Sequence, residues 1–226
     1  MLFCPGAVCA GEEDNLIVNG SFEVLDEEGM PSAWYTEAYI RQAGYTAYAI
    51  SDDAHSGAAS ARIHNLGMND ARFAQRVAVE PGALYCLSGW IKVESMEDAG
   101  RGANLSIEDL YVFSESVFDA DGEWHYVEMY GETGEDQREV TVFARVGGYS
   151  GESEGCALFD DLCLRRVDAV PGNGVASLWF RQETPAAVPD EAAGEDGEAA
   201  PFWPWLLALS ACYLAMATWM SDRLTR

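Results

Sequence analysis

Alternation of apolar and polar side chains is the feature that most limits how this chain can fold. Three runs carry it: Leu87, Gly89, Ile91 and Val93; Leu105 and Ile107; and Val140, Val142, Ala144 and Val146. A period of two places the apolar members of a run on one face of a strand. No stretch between Asn15 and Val167 sustains a helical apolar period. With turn dipeptides such as Asn19-Gly20 between the runs, the pattern predicts an all-β fold, an antiparallel β-sandwich of about nine short strands.

The end of the chain carries a segment of a different kind. Residues Phe202–Met220 contain no charged side chain, and as a helix they would rise about 28 Å, close to the thickness of a bilayer core. We therefore predict one transmembrane helix over residues 201–221. The tail of residues 222–226, with Arg223 and Arg226, is predicted to be cytoplasmic. The alternative is a buried core helix.

The segments before this helix predict export to the cell surface. Residues 1–10 are apolar and end in Val8-Cys9-Ala10, a small-residue pattern typical of signal-peptidase cleavage, so they are interpreted as the remnant of a signal peptide. Residues 11–167 form the predicted sandwich. Residues 168–200 form a predicted linker, because Glu183–Ala200 combine six acids with no base and little apolar surface. The expected location is the cell membrane, in a single-pass protein whose N-terminal domain is extracellular.

Net charge excludes one class of partner. The chain has 38 acidic and 13 basic side chains, a formal net charge of -25, and Lys92 is its single lysine. Surfaces that bind nucleic acid need clustered lysines and arginines, so no nucleic-acid partner is expected. Anionic headgroups repel so acidic a domain, and membrane attachment therefore has to come from the apolar helix.

Three cysteines, Cys86, Cys156 and Cys163, lie in the predicted exported domain. An odd number allows at most one internal disulfide and leaves one thiol free. The three histidines lie far from any CxxC pair, so no zinc site is expected.

Six pieces of sequence carry a resemblance to a known family. In chain order they are Asn15–Glu23 (NLIVNGSFE), Pro31–Trp34 (PSAW), His55–Gly57 leading into Ala61–His64, Gln75–Tyr85 (QRVAVEPGALY), Trp124, and Phe159–Leu162 (FDDL). Together they resemble the jelly-roll carbohydrate-binding modules of the family 4, 9 and 22 type, which have the galactose-binding-like fold. The resemblance covers residues 15–167. It implies a jelly roll that binds an oligo- or polysaccharide without catalysis.

The resemblance also implies where a sugar would bind. The family uses its concave sheet, and the residues expected to contact ligand there are Trp34, Tyr35, Tyr39, Gln75, Glu108, Tyr111, Thr141, Phe143 and Arg145. For Trp34 the alternative is a core position that plugs the sandwich edge, and for the others it is an ordinary polar sheet face. Because the domain is acidic, a neutral sugar is expected unless Arg145 and Arg76 share the groove.

A structural Ca²⁺ ion and a disulfide are further implications of the resemblance. The calcium ligands would be Asp160, the backbone carbonyls of Ser21 and Gly57, and Glu23 as a further carboxylate. Hard oxygen ligands from separate segments suit calcium. The alternative is that Asp160 and Asp161 are solvated or cap nearby amides. The jelly-roll strand order also places Cys86 beside Cys163, which implies a cross-strand bond between them.

No enzyme motif is present. The chain has no GxSxG elbow, no P-loop and no GxGxxG after a strand. A glycosidase needs two carboxylates at a defined separation, and the sequence predicts no second acid in phase with Glu108 on the neighbouring strand. The chain is therefore expected not to be an enzyme.

Two functions of other classes remain open. A protein-binding or adhesion module would present the same concave face to a partner surface. An accessory subunit would pair its transmembrane helix with a membrane enzyme or transporter, and small residues such as Ala208 and Ala215 would permit close helix packing.

Overall fold

The computed structural model describes residues 14–172 and 174–181. They form ten strands, which are β1 (Tyr35–Ala38), β2 (Thr46–Ser51), β3 (Ser60–Asn69), β4 (Ala71–Ala78), β5 (Leu84–Met96), β6 (Ala103–Ile107), β7 (His125–Glu132), β8 (Glu139–Val146), β9 (Ser153–Arg166) and β10 (Ser177–Leu178). Within these residues no helix has the length and apolarity needed to cross a membrane. The predicted span at 201–221, the tail at 222–226 and the signal-peptide remnant at 1–10 lie outside the described residues.

The strands form two sheets. One has four strands in the order β1-β4-β8-β6, and the other has six in the order β10-β7-β5-β9-β3-β2. Every pairing between named strands is antiparallel except that of β10 with β7, which is parallel. Because both sheets contribute one apolar face to a shared core, the predicted all-β sandwich is confirmed.

The predicted apolar phases fill that core. Leu87 and Ile91 of β5 and Val142 and Val146 of β8 are all fully buried. Burial of a side chain of this kind stabilises a fold by roughly 1.5–3 kcal/mol. The alternation that identified these strands therefore also identified the residues that hold the two sheets together.

Aromatic side chains close one end of the core. Phe22 packs against Trp34 with ring centroids 5.1 Å apart and against Phe73 at 6.3 Å. The indole nitrogen of Trp34 donates a hydrogen bond to the backbone oxygen of Asn19 at 3.0 Å, so its polar atom is satisfied inside the core. Trp34 is thus a core residue, and its prediction as a ligand contact is wrong.

The sandwich extends beyond the predicted boundary at residue 167. Ser177 and Leu178 pair with Gly131 and Glu132 of β7, and Trp179 is buried in the core. A Cβ on Gly131 would lie 1.9 Å from the indole nitrogen of Trp179, so only glycine leaves room for this ring. Part of the predicted linker at 168–200 is therefore folded. The rest of that range, from residue 182 onwards, lies outside the described residues.

The predicted bond between Cys86 and Cys163 is not formed. Cys86 is a free, buried cysteine, as is Cys156, whereas Cys163 is disulfide-bonded. The register explains the error, because Cys86 lies opposite Arg165 and Cys163 lies opposite Ser88. Cys163 therefore lies two residues along β9 from the position that faces Cys86. The two cysteines do not face each other as a disulfide requires.

Candidate functional site

The outer face of the four-stranded sheet carries the side chains that the sequence assigned to a groove. Arg145 of β8 lies opposite Asn104 of β6, and Phe143 lies opposite Ser106. All four side chains are out of phase with the core residues of their strands. The sequence therefore predicted the face of these residues correctly.

The same residues are covered, which the sequence did not indicate. Phe143 and Arg145 have no exposed surface. The Arg72 guanidinium lies 4.7 Å from the Phe143 ring centroid, and Arg145 lies 4.6 Å from that of Tyr149. Neither Phe143 nor Arg145 can touch a ligand in this conformation, so their predicted role as contacts is corrected to a role in the floor of the face.

An ion pair fixes the buried guanidinium of Arg145. Its Nε donates to Oδ1 of Asp70 at 2.6 Å, and its Nη2 donates to Oδ2 of the same carboxylate. Arg72 reaches Asp70 from the other side, with 3.3 Å between Nη1 and Oδ2, and pairs with Glu37 at 2.9 Å. Planar, two-pronged pairs of this kind hold side chains in one orientation.

Two further predicted contacts are engaged within the protein. Gln75 shares the inward phase of Phe73 and Val77, and its amide exchanges two hydrogen bonds of 2.8 Å with the backbone of Val18. Its prediction as a ligand contact is therefore wrong. Thr141 is buried and donates a hydrogen bond to Oε2 of Glu108 at 2.6 Å.

Glu108 has an acidic neighbour that the sequence argument overlooked. Glu139, at the start of β8, shares the outward phase of Thr141, and both acids line a shallow pocket of about 240 Å³ beside Trp179 and Arg181. The prediction that no second acid lies in phase with Glu108 on the neighbouring strand is therefore wrong.

The open part of the face lies at the end where β1 ends and β4 begins. There a cleft of about 590 Å³ is lined by Ala38, Tyr39, Arg41, Asp70, Arg72, Gly148, Tyr149, Ser150 and Glu152. Tyr39 is 73% exposed, and Tyr149 walls the cleft with its ring against buried Arg145. The cleft thus combines two phenol rings with guanidinium and carboxylate groups. Of the predicted aromatic contacts, Tyr39 lines it.

Tyr35 and Tyr111 are exposed at other positions. Tyr35 lines a second depression of about 400 Å³ on the far side of β1, which also contains Arg41. Tyr111 packs against Phe113 at 5.3 Å and accepts a hydrogen bond from Arg101. Sequence reasoning missed Tyr149 and Arg41, because both lie in loops without periodicity.

The predicted calcium ligands lie around the turn at residues 55–59. Asp160 is fully buried and accepts hydrogen bonds from the amides of His55 at 2.8 Å and Ser56 at 3.0 Å. Oε1 of Glu23 accepts from Ala58 and Ala59, and a Cβ on Gly57 would lie 2.2 Å from that oxygen. Both carboxylates therefore cap amides of one turn, as the alternative interpretation stated for Asp160.

Asp160 is fully buried and has a second acid, Asp161, beside it, so its negative charge is poorly compensated. Burial raises the pKa of Asp160 to about 6, although the Ser56 amide opposes the shift and the charge of Asp161 adds to it. β9 adopts a left-handed backbone at Asp161, with φ 48°, where its register against β5 shifts. Both adjacent acids consequently reach the same turn, and Asp161 forms a hydrogen bond with the His55 ring at 2.7 Å.

No cluster of three or more His, Cys, Asp or Glu side chains suited to a metal occurs in the described part of the chain. A cation at this turn would therefore also need backbone carbonyl ligands.

A second cleft, on the outer face of the six-stranded sheet, was not predicted. It measures about 680 Å³, and Ser21, Glu23, His55, Trp90, Tyr126 and Asp161 are among its lining residues. The His55 ring stacks on Trp90 with centroids 3.9 Å apart, and Tyr126 meets Trp90 edge-on at 5.4 Å. The alternation on β5 places the side chain of Trp90 outward. No sequence pattern near Trp90 or His55 indicates that the two rings would stack.

Comparison with solved structures finds similar folds. The enzymatically active domain of tailspike protein 4 from bacteriophage CBA120 is similar with a TM-score of 0.50 and 13% identity, over 68% of this chain and 21% of that chain. This chain thus spans about a fifth of the tailspike chain. TmCBM61, solved with β-1,4-galactotriose, has a TM-score of 0.46 and 19% identity, with 68% and 99% of the two chains covered. A family 4 carbohydrate-binding module has a TM-score of 0.42 and 18% identity, with 67% and 99% covered.

These similarities concern the fold. No protein-family model matches the chain, and no curated protein matches it either. At 13% identity, the tailspike similarity shows that the β-sandwich is shared and leaves the ligand open.

Proposed function

We propose that this chain binds carbohydrate without catalysis, through the cleft that Tyr39 and Tyr149 line at one end of the four-stranded sheet. The observation that carries the proposal is the chemistry of that cleft. Sugar rings pack their C–H faces on aromatic rings and bind hydroxyls in pairs through planar charged groups. Tyr39 offers an exposed ring, and Arg72 and Asp70 offer planar groups held in place by their mutual contact.

The sandwich supports this proposal by holding the charged groups rigid before a ligand arrives. Asp70 is fixed by Arg145 beneath it, and Arg72 is fixed by Glu37 beside it. Preorganised groups lose little conformational freedom on binding, which favours affinity. Carbohydrate-binding modules, TmCBM61 with its bound galactotriose among them, occur among the proteins of similar fold.

Tethering is a separate part of the proposal. We infer an extracellular domain on a single-pass anchor from the uncharged run at 202–220 and the acidic composition after residue 182. A domain as acidic as this one would be repelled by an anionic bilayer, so a linker would hold its cleft in solution. Protease protection in membrane vesicles tests the topology, and digestion of the sandwich from the cytoplasmic side would contradict it.

A structural calcium ion at the 55–59 turn is the third part. Glu23 and Asp160 would supply carboxylate oxygens, and the backbone carbonyls of Ser21 and Gly57 would complete the set. When bound, the ion would neutralise the buried charge of Asp160 and join the N-terminal segment to β9. Its test is thermal unfolding of the full chain with calcium and with EGTA. Equal midpoints in the two buffers would reject the ion.

The binding test uses isothermal titration of the full chain against a panel of neutral and acidic oligosaccharides. Tyr39→Ala should weaken binding about tenfold, because stacking of one sugar ring is lost. Tyr111→Ala is the matched control, since Tyr111 is also exposed, at 64%, but does not line the cleft. Absence of binding to every sugar, or equal loss in both variants, would contradict the proposal. The same titrations, followed by an assay for new reducing ends, test the absence of catalysis.

A further inference from the structure

Acidic and basic side chains are nearly balanced around the cleft, in a chain that is otherwise strongly acidic. Arg41 and Arg72 line it, Arg145 lies beneath Tyr149, and Arg101 packs on Gly148. Asp70 and Glu152 are the acids that line the cleft, and Glu37 pairs with Arg72 beside it. This near balance contrasts with 13 bases against 38 acids in the whole chain. At physiological salt the Debye length is about 8 Å, so a ligand in the cleft senses mainly these local charges.

Most of the local acidic charge is already neutralised. Asp70 is shared by Arg145 and Arg72, and Glu37 pairs with Arg72. These carboxylates therefore repel an incoming anion weakly. Among the described residues Glu152 is the acid lining the cleft that forms no ion pair.

Arg41 has guanidinium donors to spare. Its Nε donates to the backbone oxygen of Ala38 at 3.4 Å in an exposed position, and in residues 14–172 and 174–181 it forms no ion pair. Its two terminal nitrogens thus remain available beside the exposed ring of Tyr39. A guanidinium with two free, parallel N–H groups matches the geometry of a carboxylate.

We propose that the cleft selects acidic sugars, with the carboxylate of a uronic acid paired to Arg41 while the sugar ring packs on Tyr39. This inference rests on the proposed carbohydrate function and names its ligand class. It departs from the neutral ligand that overall acidity favoured, because the charge that matters is that of the cleft and not of the chain. The sequence analysis expected Arg145 to bind an acidic sugar if it shared the groove. Arg145 is buried beneath the face, and Arg41 has this role instead.

The test compares each acidic oligosaccharide with its own carboxyl-reduced form, which keeps the linkage and removes the charge. Oligomers of galacturonate, glucuronate and mannuronate, each with its neutral counterpart, are titrated into the full chain. At least one acidic oligomer should bind about tenfold more tightly than its reduced form, the effect of one charged hydrogen-bonded pair. That preference should shrink severalfold as salt rises from 0.05 to 0.5 M, on the order of the screening expected for an open cleft.

Variants assign the preference to the cleft. Arg41→Gln should abolish it, and Arg138→Gln, which changes an exposed arginine outside the cleft, should leave it intact. Glu152→Gln should strengthen binding of the acidic form about two- to fivefold by removing a repelling charge.

The outcomes separate the two proposals. Binding of neutral and acidic forms with equal affinity would overturn the acidic preference and keep carbohydrate binding. A preference that survives Arg41→Gln would overturn the role of Arg41. Failure of every oligosaccharide, acidic or neutral, would overturn both.

Discussion

Arg145 and Asp70 form an ion pair in which the arginine side chain has no exposed surface and its Nε donates to Oδ1 of Asp70 at 2.6 Å. The pair joins β8 to the residue that precedes β4, and Arg72 attaches to it from the solvent side. The floor of the proposed binding face is therefore ionic. An isolated buried guanidinium is costly, so the floor depends on both partners.

Loss of one partner should destabilise the fold strongly. In Asp70→Asn the buried Arg145 charge is left uncompensated, and we expect the free energy of unfolding to fall by about 3–5 kcal/mol. Asp98→Asn, at an exposed position that forms no ion pair with any other described residue, should change it by less than about 0.5 kcal/mol. Urea denaturation of both variants measures the difference. Equal effects of the two substitutions would show that the ion pair contributes little.

Trp179 should behave as a core residue although it lies beyond the predicted domain boundary. Trp179→Ala should cost about 3–5 kcal/mol, as large-to-small changes in a core do. Gly131→Ala should also destabilise, because its methyl group would overlap the indole. Leu178→Ala, at a position 40% exposed, is the control and should cost below about 1 kcal/mol. Denaturation midpoints check all three variants. An unchanged midpoint for Trp179→Ala would show that Trp179 and β10 do not contribute to the stability of the folded unit.

The two free thiols of the described residues, Cys86 and Cys156, should resist labelling in the folded protein. Burial raises the pKa of Cys156 to about 12, helped by its hydrogen bond to Glu94, and burial also raises the pKa of Cys86. Thiolate is the reactive form, so alkylation at pH 8 should be slow until urea unfolds the chain. Peptide mapping by mass spectrometry measures the labelling of each cysteine. A peptide that links Cys86 to Cys163 would contradict the structure.

Asp160 should make stability depend on pH in a direction opposite to that of an ordinary surface acid. Its folded pKa of about 6 lies above the ordinary value of about 3.9, so the folded state binds the proton more tightly between these pH values. Its contribution to stability is therefore largest at low pH and falls as pH rises towards 6. In EGTA, the stability of the wild type minus that of Asp160→Asn should decrease from pH 4 to pH 7. Asp136→Asn, at an exposed position, is the control and should show no such trend. If the stability difference between the wild type and Asp160→Asn rose from pH 4 to pH 7, the raised pKa of Asp160 would be refuted.

The successes of the sequence analysis follow from local periodicity. Thr141, Phe143 and Arg145 point outward because alternation fixes the face of a strand without knowledge of its neighbours. Gln75 shows the limit, since it occupies the inward phase and is satisfied by Val18, 57 residues away in sequence. The pairing of Cys86 with Cys163 failed for a related reason, because strand order says which strands are adjacent and not which residues face each other.

The candidate site was harder to predict than the fold. Its walls come from loops, where Arg41 and Tyr149 follow no pattern, and its floor depends on Asp70 meeting a guanidinium 75 residues later in the chain. The sequence could place Arg145 on the correct face. It could not indicate that this arginine would be occupied and that Arg41 would be left available.

The docking of Trp179 beneath Gly131 has a mechanical consequence. Tension applied to the chain beyond residue 181 reaches Trp179 before it reaches β10, a strand of two residues in parallel register with β7. So few backbone hydrogen bonds resist pulling weakly. The indole ring, packed where a Cβ on Gly131 would overlap it, carries the load ahead of them. If the sandwich is anchored to a membrane and holds a fixed polysaccharide, shear between cell and ligand would load this ring first.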